Sequence, residues 1–110
     1  MYKLVFFVPK QNLEPVKAAV FNAGAGKIGH YDQCCWQVLG RGQFRPLMGS
    51  DPFIGDSPKP GEALGRTTYV DEYRVEMVCD EGCIKAVVEA LKAAHPYEEP
   101  AYDVWRLMDF

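Results

Sequence analysis

TTYVDEYRVEMVC, residues Thr67–Cys79, decides the architecture. Tyr73, Val75, Met77 and Cys79 alternate with Glu72, Arg74 and Glu76, and a period of two puts the first set on one face of a strand and the second on the other. One face is dry; the other is wet or turned to a partner. Just beyond, Asp80 is placed to cap a helix in which Ile84, Val87, Val88 and Leu91 recur at helical spacing. His95-Pro96 stops that helix, because the residue before a proline avoids the helical region. Ala101 to Leu107, with Tyr102, Val104 and Trp105, then reads as a closing strand.

Upstream, the same order occurs once more. Tyr2 to Val8 is a nearly continuous apolar and aromatic run, the pattern of a strand covered on both faces. Asn12 is placed to cap a helix whose first turn tolerates Pro15, with Leu13, Val16 and Val20 as its apolar stripe and Gly24 and Gly26 at its end. Cys34 to Leu47 favours a strand through Cys35, Trp36, Val38, Leu39 and Phe44, with Gly40 and Gly42 marking a bulge or a close backbone approach. Pro46 to Arg66 is rich in Gly and Pro and has no period; in a small domain a loop of that length is more often functional or mobile than idle. The order β-α-β-β-α-β over residues 1–110 predicts a single α+β domain with the long loop at 46–66. Its fold would be a ferredoxin-like sandwich of one antiparallel sheet with both helices on the same face. Phe6 or Phe7, Trp36, Tyr73 and Trp105 supply more aromatic area than two short helices cover, which predicts self-association through the bare sheet face or its edges.

Composition agrees with one packed domain: 110 residues, 48% hydrophobic and 25% charged. Fifteen acidic against twelve basic side chains leave a net charge of -3, so no basic field holds a nucleic-acid backbone. The charge is uneven: residues 1–60 carry seven basic and four acidic groups, residues 61–110 five and eleven, so loops of the first half attract anions. Leu4 to Val8 is too short an apolar run to span a bilayer or to serve as a signal peptide. The expected location is cytoplasmic with no membrane partner, and Cys34, Cys35, Cys79 and Cys83 are expected as thiols.

Two constellations carry potential chemistry. Gly24-Ala25-Gly26-Lys27-Ile28-Gly29 follows a helix and precedes Tyr31, the reverse of the strand-to-helix context in which such a glycine string binds a dinucleotide. It is either an ordinary turn or an amide-lined anion pocket aided by Lys27. His95-Pro96-Tyr97-Glu98-Glu99-Pro100-Ala101-Tyr102-Asp103 fixes an imidazole and two carboxylates on a rigid corner. There His95 either caps a helix carbonyl while Glu98 and Glu99 pair with basic groups across a subunit boundary, or the three serve a divalent ion such as zinc. Three ligands in five residues do not converge without a bend, so Cys34 or another chain would complete the shell. His30 beside the glycine turn is expected at the surface. No G-x-S-x-G elbow, H-E-x-x-H helix, Walker loop or C-x-x-C pair occurs, so no catalytic residue is assigned and an enzyme is not expected.

Gly24-x-Gly26-x-Ile28-Gly29-x-Tyr31-x-x-Cys34-x-Trp36, Gly40-x-Gly42-x-Phe44-x-Pro46-x-x-Gly49, Pro52-x-x-Gly55 and the His95–Asp103 run together closely resemble the small domain inserted in YqfO-type members of the NIF-three-like family. That domain is similar in fold to the PII signalling proteins and to CutA, the trimeric protein associated with divalent-cation tolerance. The resemblance implies a homotrimer with inward-facing sheets and with Pro46–Arg66 projecting like a T-loop. In the full-length family the dinuclear metal centre and any hydrolase activity belong to flanking domains absent from this chain, so hydrolysis is not carried over. The expectation is a stand-alone binding or regulatory protein. A small anion would be held at inter-subunit clefts by Gly24, Gly26, Lys27, Gly29, Tyr31, Arg45 and Tyr97, or a divalent metal ion, zinc or copper, by His95, Glu98, Glu99 and Cys34. The alternatives are a purely structural oligomerisation or docking module and, behind it, a metal- or cysteine-dependent enzyme.

Overall fold

A computed structural model describes all 110 residues. The chain forms β1 (Tyr2–Pro9), a 3-10 turn (Lys10–Asn12), α1 (Leu13–Asn22), β2 (Trp36–Phe44), β3 (Thr68–Cys79), α2 (Ile84–Ala94) and β4 (Tyr102–Arg106). The strands make one antiparallel sheet in the order β2-β3-β1-β4. This is the α+β sandwich expected from the sequence.

The alternation in β3 does what its period requires. Val75, Met77 and Cys79 join Leu4, Phe6 and Val8 of β1 in one buried cluster with Leu13, Val16 and Val20 of α1 and Val87 and Leu91 of α2. Each fully buried side chain of this size contributes about 1.5–3 kcal/mol by leaving water. Glu72, Arg74 and Glu76 face the other way, where Arg74 Nε donates to Glu76 Oε2 at 3.3 Å. Trp36, Val38 and Phe44 of β2, Phe7 of β1 and Trp105 of β4 share that open face by strand parity. No helix covers it, and Trp36 and Trp105 stay 58% and 46% exposed.

Three local expectations need correction. Asn12 holds the N-cap position of α1 but makes no side-chain cap, and its Oδ1 is buried without a partner, because the chain enters α1 through a 3-10 turn. Asp80 opens a turn rather than the helix: its carbonyl accepts from Cys83 and Ile84, and Cys83 is the N-cap of α2. Gly40 and Gly42 lie in a regular ladder opposite Glu72 and Val70, so there is no bulge. Their alternative role, a close approach, holds at Gly42.

The long connection is closed at its base. Met48 N–H donates to Ala63 O at 3.0 Å and Gly65 N–H to Pro46 O at 2.7 Å, beside an antiparallel bridge between Leu47 and Leu64. Between these, residues 50–54 turn back towards the open face of the sheet and the corner after α2.

Candidate functional site

His95 follows the last turn of α2, where Pro96 forces extended backbone and the imidazole swings into the interior, only 6% exposed. Its Nε2 lies 2.6 Å from Phe7 O on β1, and Tyr97 N–H donates to Nδ1 at 3.1 Å. Since a carbonyl only accepts and an amide only donates, Nε2 carries the proton and both ring nitrogens are engaged. The bond goes to a strand carbonyl, not to the helix carbonyl expected. Burial lowers the imidazole pKa below its ordinary value of 6.5, and the Phe7 bond and the charge of Glu72 only partly oppose this.

This anchor presents Tyr97 to the open side of the sheet. Its hydroxyl donates to Glu72 Oε2 at 2.8 Å, and its ring stands 6.5 Å from Phe44 and 6.4 Å from Phe53, both tilted. Burial raises the phenol pKa, and the hydrogen bond and charge of Glu72 raise it further, so the hydroxyl stays protonated and donating. Glu72 can lie there because Gly42 has no side chain: a Cβ at Gly42 would overlap Glu72 Oε1 and come within 2.9 Å of its Cδ. Gly55, at φ +91°, brings the long loop against the Phe44 ring, which a Cβ would meet at 3.4 Å. Glu98 Oε2 accepts from the Asp51 amide at 3.1 Å and ties the corner to the loop.

Between them opens a cleft of about 300 Å³ walled by Phe44, Phe53, Ile54 and Tyr97, with Glu72, Glu98 and Glu99 at its polar side. Ser50 also lines it, and the Ser50 hydroxyl is buried without a partner. Of the residues singled out from sequence, Tyr97, Glu98 and Glu99 meet here, with His95 behind Tyr97.

The others lie elsewhere in the protomer. Gly26 N–H donates to Val78 O and Cys34 N–H to Gly26 O, each at 2.8 Å. Val78 is six residues along β3 from Glu72, about 20 Å at strand rise. Within one protomer Cys34 is therefore remote from His95, and no group of three His, Cys, Asp or Glu side chains is disposed to hold a metal ion. The amides of Gly24, Ala25, Gly26 and Ile28 already donate within the chain; the segment is built as a turn, with Gly29 at its tip and Tyr31 75% exposed. Lys27 borders a separate open concavity beside Pro15, Phe21 and Asp32, and Arg45 is exposed and outside the cleft lining. The sequence reading missed Glu72, which looked like one more wet-face residue. Its signal was the side-chain-free Gly42 beside it on β2.

No family model matches the chain. It is 46% identical over 106 residues to the "GTP cyclohydrolase 1 type 2 homolog" of Mycobacterium tuberculosis and 45% identical over 103 residues to that of Bacillus subtilis. These matches cover 96% and 94% of the chain but 26% of each relative. Among solved structures, a Bacillus cereus protein related to NIF3 aligns with TM-score 0.78 and 36% identity over 98% of this chain and 26% of its own. The chain resembles one domain of the NIF-three-like proteins. It spans about a quarter of the relatives it matches, while CutA from Archaeoglobus fulgidus, at TM-score 0.65 and 12% identity, is covered over 87% of its length. GlnK of Bacillus subtilis aligns at TM-score 0.52 and 14% identity, covered over 83%. The fold is thus PII/CutA-like. None of its helices is long and apolar enough to cross a membrane.

Proposed function

We propose that this chain is a cytoplasmic binding or regulatory domain rather than a catalyst, working as a homotrimer with a small ligand or divalent ion at clefts that neighbouring copies complete. One observation carries the reading: stretches far apart in sequence, the end of β2 with the long loop that follows it, Glu72 of β3 and the corner after α2, converge on a cleft over the sheet face that no helix covers. Residues of the quoted family motifs, Gly42, Phe44, Pro46, Pro52, Gly55, His95, Tyr97, Glu98 and Glu99, either line that cleft or hold its walls. The cyclohydrolase name of the relatives belongs to proteins about four times as long and is not transferred.

Metal binding would need a conformation or a neighbour beyond the single protomer, since both nitrogens of His95 are engaged and Cys34 lies at the far end of β3. Calorimetric titration with zinc, copper and nucleotides, run on the parent and on Glu98→Ala, tests the ligand claim. Heat with one of these that the variant loses supports it; null heats throughout remove metal ions and nucleotides as the ligand. A second reading, a docking module with no ligand, is favoured by the exposed Trp36 and Trp105. It predicts that Tyr97→Ala disrupts assembly in sedimentation while every titration stays silent.

A further inference from the structure

The cleft has a charge signature that narrows its ligand. Three carboxylates line it, and no lysine, arginine or histidine does. None of the three belongs to an ion pair. Glu72 accepts one hydrogen bond through Oε2, from Tyr97, and Glu98 one through Oε2, from the Asp51 amide, which leaves the remaining lone pairs unused. Like charges facing a half-enclosed, aromatic-walled hollow repel one another until something positive enters. A phosphate or carboxylate ligand would add to that repulsion, so the small anion expected from the sequence does not suit this cleft.

A bare metal ion fits no better, because no three acidic or imidazole groups are close enough to share one. The space is also wrong for an ion: about 300 Å³ lies at the small end of ligand pockets, room for a short organic molecule. Phe44, Phe53 and Tyr97 offer ring faces and edges at centroid spacings of 6.4–6.5 Å, and such rings attract a desolvated cation. Ser50, whose hydroxyl has no partner, stands in the same wall.

We infer that the cleft takes an organic cation, an ammonium or guanidinium head on a short apolar body. The head sits between Glu72 and Glu98, and the body lies against Phe44, Phe53 and Tyr97. This names the ligand class of the site proposed above and rests on that cleft being a binding site.

The test is a set of probes matched in shape and different in charge. Phenethylammonium, phenylacetate and 2-phenylethanol are titrated into the full chain while the ring resonances of Tyr97 and Phe53 are followed by NMR, with zinc chloride and ATP as further arms. Phenethylammonium is expected to shift those resonances in a saturable way and phenylacetate to leave them unmoved. The double variant Glu72→Gln, Glu98→Gln keeps an acceptor for Tyr97 and for Asp51, so it preserves the fold. It should weaken the phenethylammonium response about tenfold or more, the worth of a charge-assisted contact. Equal binding of phenylacetate or phenylethanol overturns the cation assignment but leaves the cleft a binding site. So does a response to zinc or ATP alone. Silence with every probe removes both.

Discussion

At the scale of single residues, His95 is the buried titratable group that holds the corner in place. Its folded pKa lies below 6.5, chiefly through burial, so the unfolded chain binds the proton more readily than the folded one. Stability from the neutral ring is therefore complete above the unfolded value. It declines as pH falls through that value and levels off once pH is below the folded one. Melting temperature is expected to fall between pH 7 and pH 5, and His95→Gln, which cannot titrate, should flatten that limb while lowering stability at neutral pH. A parent limb as flat as the variant's would remove His95 from this role. The second residue-scale prediction concerns Gly42. Gly42→Ala must displace the Glu72 carboxylate, the mobile end of a side chain, so the cost is the lost Tyr97 hydrogen bond, about 1 kcal/mol, rather than a broken fold. Tyr97→Phe removes the same bond from its other end. In a double-mutant cycle by urea denaturation the two losses should overlap, the pair costing about as much as one; full additivity would place Gly42 and Tyr97 in separate networks.

Among the elements, those built by periodicity were legible in the sequence and those built by exceptions were not. β3 and α2 each repeat one rule over eleven or twelve residues, so their faces could be read before any contact was known. Val87 and Leu91 are indeed fully buried. Asn12 and Asp80 misled because a capping residue type marks a turn as readily as a helix start, and only the backbone path decides between them. The cleft was half visible. Tyr97, Glu98 and Glu99 stood out as a rigid corner, but Glu72 could not be joined to them without the β2-β3 register that sets Gly42 beside it. Leu91→Ala is expected to cost about 2–5 kcal/mol by opening a cavity between α2 and the sheet. Val38→Thr, on the half-exposed open face of β2, should cost well under half as much in a dilute protomer. Guanidinium denaturation of both variants checks the ranking, and reversal would mean the open face is buried in solution.

As a whole, the molecule is drawn out, with extents of 55 × 24 × 23 Å and a radius of gyration of 15.8 Å, where about 13 Å is usual for a compact domain of this length. Only 18 of 110 residues are buried, so the two-helix layer seals one face of a sheet whose other face carries two exposed tryptophans. Water against Trp36, Val38 and Trp105 is unfavourable at about 25 cal/mol per Å² of apolar surface, and the edge strands β2 and β4 each leave one side unpaired. Sister copies meeting through those faces would relieve both costs at once, which is the physical basis for the proposed trimer. Sedimentation equilibrium should then give about three times the 12.4 kDa chain mass. Trp36→Glu, which plants a charge in the seam without touching the helix-side core, should shift the population to monomer while far-ultraviolet circular dichroism stays unchanged. The cleft is also expected to weaken in that monomer, because its carboxylate side lies on the same face as the seam and loses the wall a neighbour supplies. A parent that is monomeric at every concentration, with Trp36 fluorescence at the emission maximum of free indole in water, would end the trimer and leave the cleft to a single chain.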